Sequence, residues 1–232
     1  MTNQPQTLSI PRSLFIFSLL YGGLVVLAGV LGTKLAAIGP FGSLGTLFVE
    51  SGIFAFLQLV IISSAVAEVH GKDVADRLVR YGFIPLILSM VMITVVIAIP
   101  HAPFWSQQDA FASLLGQGAR MQLAGLISYG TSQTLNVYVF SKLKGDGSAG
   151  GLGSTIWLRG LIAALLSQAL DTLLFITISF YGVKDPGTGA LMPIWEIMTG
   201  QIIAKLVLVA VVVPIFITLL VGFMKYLDRE KG

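Results

Sequence analysis

The chain has 232 residues, of which 55% are hydrophobic and 11% charged, with a formal net charge of +3 and no cysteine. A soluble domain carries roughly 25% charged residues, so this composition excludes a large water-solvated domain and points to lipid as the main solvent. The missing cysteines exclude disulfides, iron–sulfur clusters and thiol catalysis, and the few scattered cations form no tract of the kind that grips nucleic acid.

A helix needs about 20 mostly apolar residues to cross a hydrocarbon core roughly 30 Å thick. Six segments meet that need, near 14–38, 45–68, 82–100, 121–141, 158–181 and 197–222. Long apolar stretches at even spacing predict helices; barrel strands would show about ten alternating residues each. The expected fold is an all-α membrane protein, a single integral membrane domain over 1–232 with six transmembrane helices. The first segment follows Arg12, is too long for a signal-peptide core and has no convincing small-residue cleavage site, so it is expected to stay in the mature protein.

Lysines and arginines favour the cytoplasmic side of short loops. One set of segments holds Arg12, then Lys72, Arg77 and Arg80, then Lys142, Lys144 and Arg159, and finally Lys225, Arg229 and Lys231. The opposite set holds only Lys34, Arg120 and Lys184, with Trp105 and Trp195 as interfacial anchors. Both termini are therefore expected in the cytoplasm.

The connections predict little chemistry. GKDVADRLVRYG suits a short surface helix, in which Asp73 with Arg77 and Asp76 with Arg80 stand four apart and can pair. PHAPFWSQQDAF, at 100–111, suits a cap at the outer interface. KGDGSAGGLGS, at 144–154, reads as a flexible linker and lacks the spacing of a phosphate-binding loop.

Polar residues inside the apolar segments carry more information, because a charge near the bilayer centre costs at least about 2.5 to 3.5 kcal/mol. Two related stretches stand out, SQTLNVYVF at 132–140 and SQALDTLLF at 167–175. At the helical period Ser167, Asp171 and Ser179 share a stripe with Gln168 beside it, and Ser128, Ser132, Gln133, Asn136 and Phe140 repeat the arrangement in the preceding helix. Leu166, Leu170, Leu173 and Leu174 lie off that stripe. Two neighbouring helices of opposite direction can thus line one polar site, as inverted repeats do in transporters; the plainer reading is that serines and amides knit the helices together. Lys205 lies at a depth close to that of Asp171 and is its expected partner, with Gln201 one turn earlier on the same face. Lys34, nearer a helix end, suits snorkelling to the interface. Glu68 closes the second segment, where an acid is usually a solvated end group. His70 and His101 belong to opposite sides and to no metal-ligand cluster, so neither a metal nor another cofactor is expected.

Several of these motifs occur together: AEVHG at 67–71 followed by Arg77 and Arg80, SQTLNVYVF followed by Lys142 and Lys144, WLRG at 157–160 leading into SQALDTLLF, and a late helix with Lys205 and Pro214. The combination, from about Gly32 onward, resembles the queuosine-precursor transporter family, which is similar to the membrane subunits of vitamin uptake. The resemblance implies a six-helix protein of the bacterial inner membrane that imports 7-deazapurines such as 7-cyano-7-deazaguanine. Asn136 stands where that family usually has an aspartate, AEVHG replaces a Thr-Glu-x-Tyr-Gly pattern, and Gly160 stands where a polar residue is common.

The implied ligand fits the polar residues. A 7-deazaguanine presents ring N–H and amino donors beside a carbonyl, so Asp171 suits the donors, while Gln168, Gln133, Asn136 and Lys205 suit the carbonyl and Ser167 stands beside them. Phe140, Phe175 or Tyr129 can offer a stacking face. Asp171 and Glu68 are the candidate proton carriers. The expected partners are a small 7-deazapurine and the lipid bilayer, with no nucleic acid; a homo-oligomer or an energising partner is left open. The alternatives are a subunit that captures another vitamin-like molecule and a structural membrane-assembly protein, which would tolerate loss of the Asp171 charge. An intramembrane enzyme built on Ser167 and Asp171 would need a histidine base, a cysteine or a metal set that the chain does not offer.

Overall fold

The computed structural model describes residues 10–32, 34–40, 46–116, 119–144, 155–184, 189–191 and 194–229. Nearly all of the linker expected at 144–154, and Lys231, lie outside these residues. Helix α1 (Arg12–Leu31) leads into a hairpin of β1 (Leu35–Ile38) and β2 (Leu47–Glu50), followed by α2 (Ile53–His70), α3 (Lys72–Ala98), the short α4 (Gln108–Leu115), α5 (Ala119–Lys142), α6 (Ile156–Phe180) and α7 (Ile194–Arg229).

Among the described residues the fold is all-helical as expected apart from this one hairpin, which corrects the ends of the first two expected spans. Its strands pair antiparallel, Leu35 opposite Glu50 and Ile38 opposite Leu47, in stretches that composition alone assigns to the ends of the first two spans. Short apolar runs carry no helical period long enough to tell a strand from the end of a helix. The hairpin is seated on α7, where Ala36 and Ile38 pack against the buried Ala204.

The second loop departs from expectation in the other direction. The anticipated surface helix is the first part of α3, which runs unbroken from Lys72 and contains Pro85. Asp76 pairs with Lys72, and Arg80 Nε donates to the Asp76 backbone carbonyl at 3.2 Å rather than to its carboxylate. Gly71 makes the reversal between α2 and α3 with φ of 91°, a region that side-chain-bearing residues rarely enter.

Helix α2 is the centre of the bundle and mostly buried, whereas α1 and above all α3 leave most of their apolar length exposed. Leu59, Val60 and Val66 of α2 form one core with Tyr21 of α1, Val79 of α3, Val137 of α5, Ala163 of α6 and Ile217 of α7. Helix α3 instead exposes Ile84, Leu88, Val91, Met92 and Val95, a lipid-facing surface. Leu166 and Leu173 of α6 are likewise exposed, as their place off the polar stripe predicts.

Among the described residues, five helices are long and apolar enough to cross a membrane: α1, α2, α3, α6 and the Ile197–Arg229 part of α7. Helix α5 has the length, with 24 residues, but Ser128, Ser132, Gln133 and Asn136 lower its apolarity. All four are buried among other helices, so α5 spends its polar side chains inside the protein.

Candidate functional site

Asp171 lies inside α6 and is buried where α5, α6 and α7 meet. Lys205 Nζ of α7 donates to Asp171 Oδ2 at 2.9 Å, and Ser132 Oγ of α5 lies 3.4 Å from Asp171 Oδ1. The pairing expected from depth alone is thus present. Away from water the two charges depend on each other, because an isolated one would keep its full desolvation cost.

The pair closes one end of a cavity of about 100 Å³, well beyond the ~10–15 Å³ that a single water requires. Asp171, Lys205 and Ser128 are its polar groups, while Phe56, Tyr129 and Phe175 bring aromatic rings and Val25, Ile53, Leu59 and Leu86 complete an apolar wall. Tyr129 is held firmly: its hydroxyl donates to that of Tyr21 at 2.8 Å, and Phe83 and Phe56 meet its ring at centroid distances of 5.2 and 5.9 Å. Gly82 makes room for the two phenols, since a Cβ there would sit 2.8 Å from Tyr21 Cε1 and 3.1 Å from the Tyr129 hydroxyl.

The other polar residues singled out by the sequence form a second cluster. Asn136 Nδ2 lies 3.0 Å from both Ser63 Oγ and Ser64 Oγ of α2 and 3.3 Å from the Val60 carbonyl. Ser63 Oγ lies 3.4 Å from Gln133 Oε1. Ser167 returns its hydroxyl to the Ala164 carbonyl of its own helix at 3.0 Å. Gln168 is buried, with no hydrogen bond to its Oε1; the same holds for Gln133 Nε2, Asn136 Oδ1 and Gln201 Oε1. The two similar stretches meet at Ser132 and Asp171, beside the cavity, but Gln133 and Asn136 turn to α2 instead of lining it.

A third group lies one to two turns further along. Glu68, at the end of α2, forms an ion pair with Arg159 of α6, and Lys144 Nζ stands 3.3 Å from the same carboxylate oxygen. The Arg159 side chain is fully buried, with its guanidinium 4.6 Å from the centre of the Phe140 ring. Glu68 is thus a paired acid at a helix junction rather than a solvated end group, and Phe140 serves Arg159 instead of lining the cavity. Nearby, Ser13 of α1 hydrogen-bonds Asp228 of α7 and His70 of α2, each at 2.7 Å, tying three helix ends together. Tyr21, Ser63 and Arg159 were missing from the candidates drawn from sequence. The adjacent serines in the apolar stretch SSAVAE were the available signal for α2; the partners of Tyr21 and Arg159 are too distant in sequence to leave one.

Lys34 is exposed beside the hairpin, in keeping with a lysine that reaches the interface. Trp105 packs edge-on against Phe111 of α4 at 5.8 Å, and Trp195 is exposed.

Comparison with known proteins adds an independent line. A family model described as "Putative vitamin uptake transporter" matches residues 50–219. Over 117 residues the chain is 32% identical to a Bacillus subtilis (strain 168) protein named "Probable queuosine precursor transporter", covering 50% of this chain and 49% of that protein. Over 134 residues it is 25% identical to the Escherichia coli (strain K12) "Queuosine precursor transporter", covering 58% and 56%. The chain spans about half the length of the curated relatives it matches. No solved structure matches it. The family match covers most of the chain, including every residue of the Asp171–Lys205 pair and the Glu68–Arg159 junction; the protein belongs to the vitamin uptake transporter family and is a multi-pass protein of the bacterial inner membrane.

Proposed function

We propose that this protein imports queuosine precursors, 7-cyano-7-deazaguanine or a related 7-deazapurine, and binds the base between Asp171 and Lys205. The reading is carried by one observation: a buried carboxylate–ammonium pair at the end of an apolar, aromatic-lined cavity. The edge of a deazaguanine offers two N–H donors beside a carbonyl acceptor. Asp171 accepts the donors and Lys205 donates to the carbonyl, so the ligand replaces the direct ion pair without stranding either charge. Tyr129, fixed by Tyr21, and Phe175 offer faces for stacking the planar base. The names of the related proteins support the ligand class.

In this reading the six long helices all cross the membrane, both termini are cytoplasmic, and residues 1–232 act as one transport domain. The buried polar cluster on α5 explains why its helix is less apolar than the rest. Energy comes from protons carried by Asp171 or Glu68, from chemical trapping of the substrate, or from a partner. Capture of another vitamin-like molecule is the alternative favoured by the family description. The deciding experiment is uptake of labelled 7-cyano-7-deazaguanine by cells that cannot synthesise it, with and without this chain. Chain-dependent uptake supports the assignment; no uptake by a chain shown to be folded and inserted overturns it. Competition by unlabelled vitamins but not by deazapurines favours the alternative.

A further inference from the structure

The cavity ends at Asp171 and Lys205, but the buried polar groups do not. Beyond the pair, toward the end of the bundle where Ser13, His70 and Asp228 join, lie Gln133, Asn136, Ser63, Ser64 and Gln168, all buried. Three atoms of this layer, Gln133 Nε2, Asn136 Oδ1 and Gln168 Oε1, have no hydrogen-bond partner. Buried amide atoms are nearly always satisfied, and an orphan costs about 1 to 3 kcal/mol, so three in one layer need an explanation. One turn further on along α2 and α5, and about two and a half turns along α6, Phe140 and the Glu68–Arg159 ion pair close the same seam between the three helices. Glu68 lies one turn beyond Ser64 on α2, and Phe140 lies one turn beyond Asn136 on α5. The order along the seam is therefore the same from each helix: cavity, a polar layer that holds the unsatisfied amides, and the partly buried ion pair with Phe140.

We propose that this seam is the closed half of the substrate path, that the amide layer is a transit site for a planar polar solute, and that Glu68, Arg159 and Phe140 form its gate. This inference rests on the protein being a transporter, though not on the identity of the substrate. A packing role alone would favour fully paired amides, whereas a path that opens to a solute needs donors and acceptors that are free when it is shut. Parting α2 from α6 breaks the Glu68–Arg159 contact and uncovers Asn136, Gln133 and Gln168 together. Lys144 beside Glu68 and the Phe140 ring beside Arg159 keep each charge accompanied while the gate is open.

The cysteine-free chain permits a direct test that uses no substrate. A single Ser64→Cys reporter, buried in the seam, is exposed to an impermeant thiol reagent on inside-out membrane vesicles. Combining it with Glu68→Gln and Arg159→Gln removes both gate charges without stranding one. Labelling is expected to rise by about tenfold, the change given by losing ~1.4 kcal/mol of preference for the closed state. A single cooperative thermal unfolding transition of the purified protein must be retained in both backgrounds, which establishes that the bundle is folded. If the double substitution fails that control, Phe140→Leu is used in its place, with the same rise expected. Unchanged Ser64→Cys labelling in a background that meets the control overturns the gate. Failure of deazapurine uptake with the labelling rise intact leaves the gate standing and removes only the substrate assignment.

Discussion

Asp171 carries the heaviest burden of any single side chain, since it faces a lysine, a serine and the cavity at once. Asp171→Asn keeps the volume but turns one acceptor into a donor facing the ligand's own N–H groups. Hydrogen bonds to charged groups contribute about 1.5 to 3 kcal/mol, so precursor affinity should fall by roughly one to two orders of magnitude. Calorimetric titration of purified, folded variants measures this, and undiminished affinity removes Asp171 from the site. The ion pair has its own signature. Asp171→Asn and Lys205→Gln each strand a partner, so the double variant should be milder than the sum of the singles; strictly additive losses of thermal stability would argue against energetic coupling. The polar stripe on α6 made Asp171 legible in the sequence, and rise per residue made Lys205 legible. The partners of Gln133 and Asn136 were not, because a helix stripe facing two neighbours at once looks the same in sequence as a stripe facing one.

Single elements were mostly readable from composition, and the failures have physical causes. A hairpin of four-residue strands is too short to show a period of two, and an amphipathic loop that continues into an apolar span gives no stop signal until Gly71 and Ala98 are seen as its ends. Gly160, which departs from the pattern of the resembling family, has a packing role instead. A Cβ at this position would lie 2.7 Å from Ile217 Cδ1, so the glycine lets α6 and α7 approach closely. Because the clashing atom is the end of a flexible side chain, Gly160→Ala is expected to cost the bundle about 1 kcal/mol, the low end of overpacking. Adding Ile217→Val, which removes the clashing methyl, should restore most of the loss in a thermal unfolding assay in detergent; no recovery would place the cost elsewhere.

At the scale of the whole molecule, the distribution of lysine and arginine predicts which face each loop occupies. Cysteines introduced at Ser106, in the α3–α4 connection, and at Ser148, in the glycine-rich linker, should differ in intact cells: an impermeant reagent labels Ser106→Cys and spares Ser148→Cys. The reverse pattern inverts the topology. The polarity of α5 has a consequence for biogenesis. A segment with four polar side chains that are sheltered only by neighbouring helices gains little by entering lipid on its own, so its partition at the translocon should depend on the next helix to emerge. In a glycosylation-mapping assay, α5 alone should integrate poorly, while α5 joined to α6 should integrate efficiently. Asp171→Leu in α6 should leave that assistance intact if burial of the α5 amides, rather than the charge of α6, recruits the helix into the bilayer.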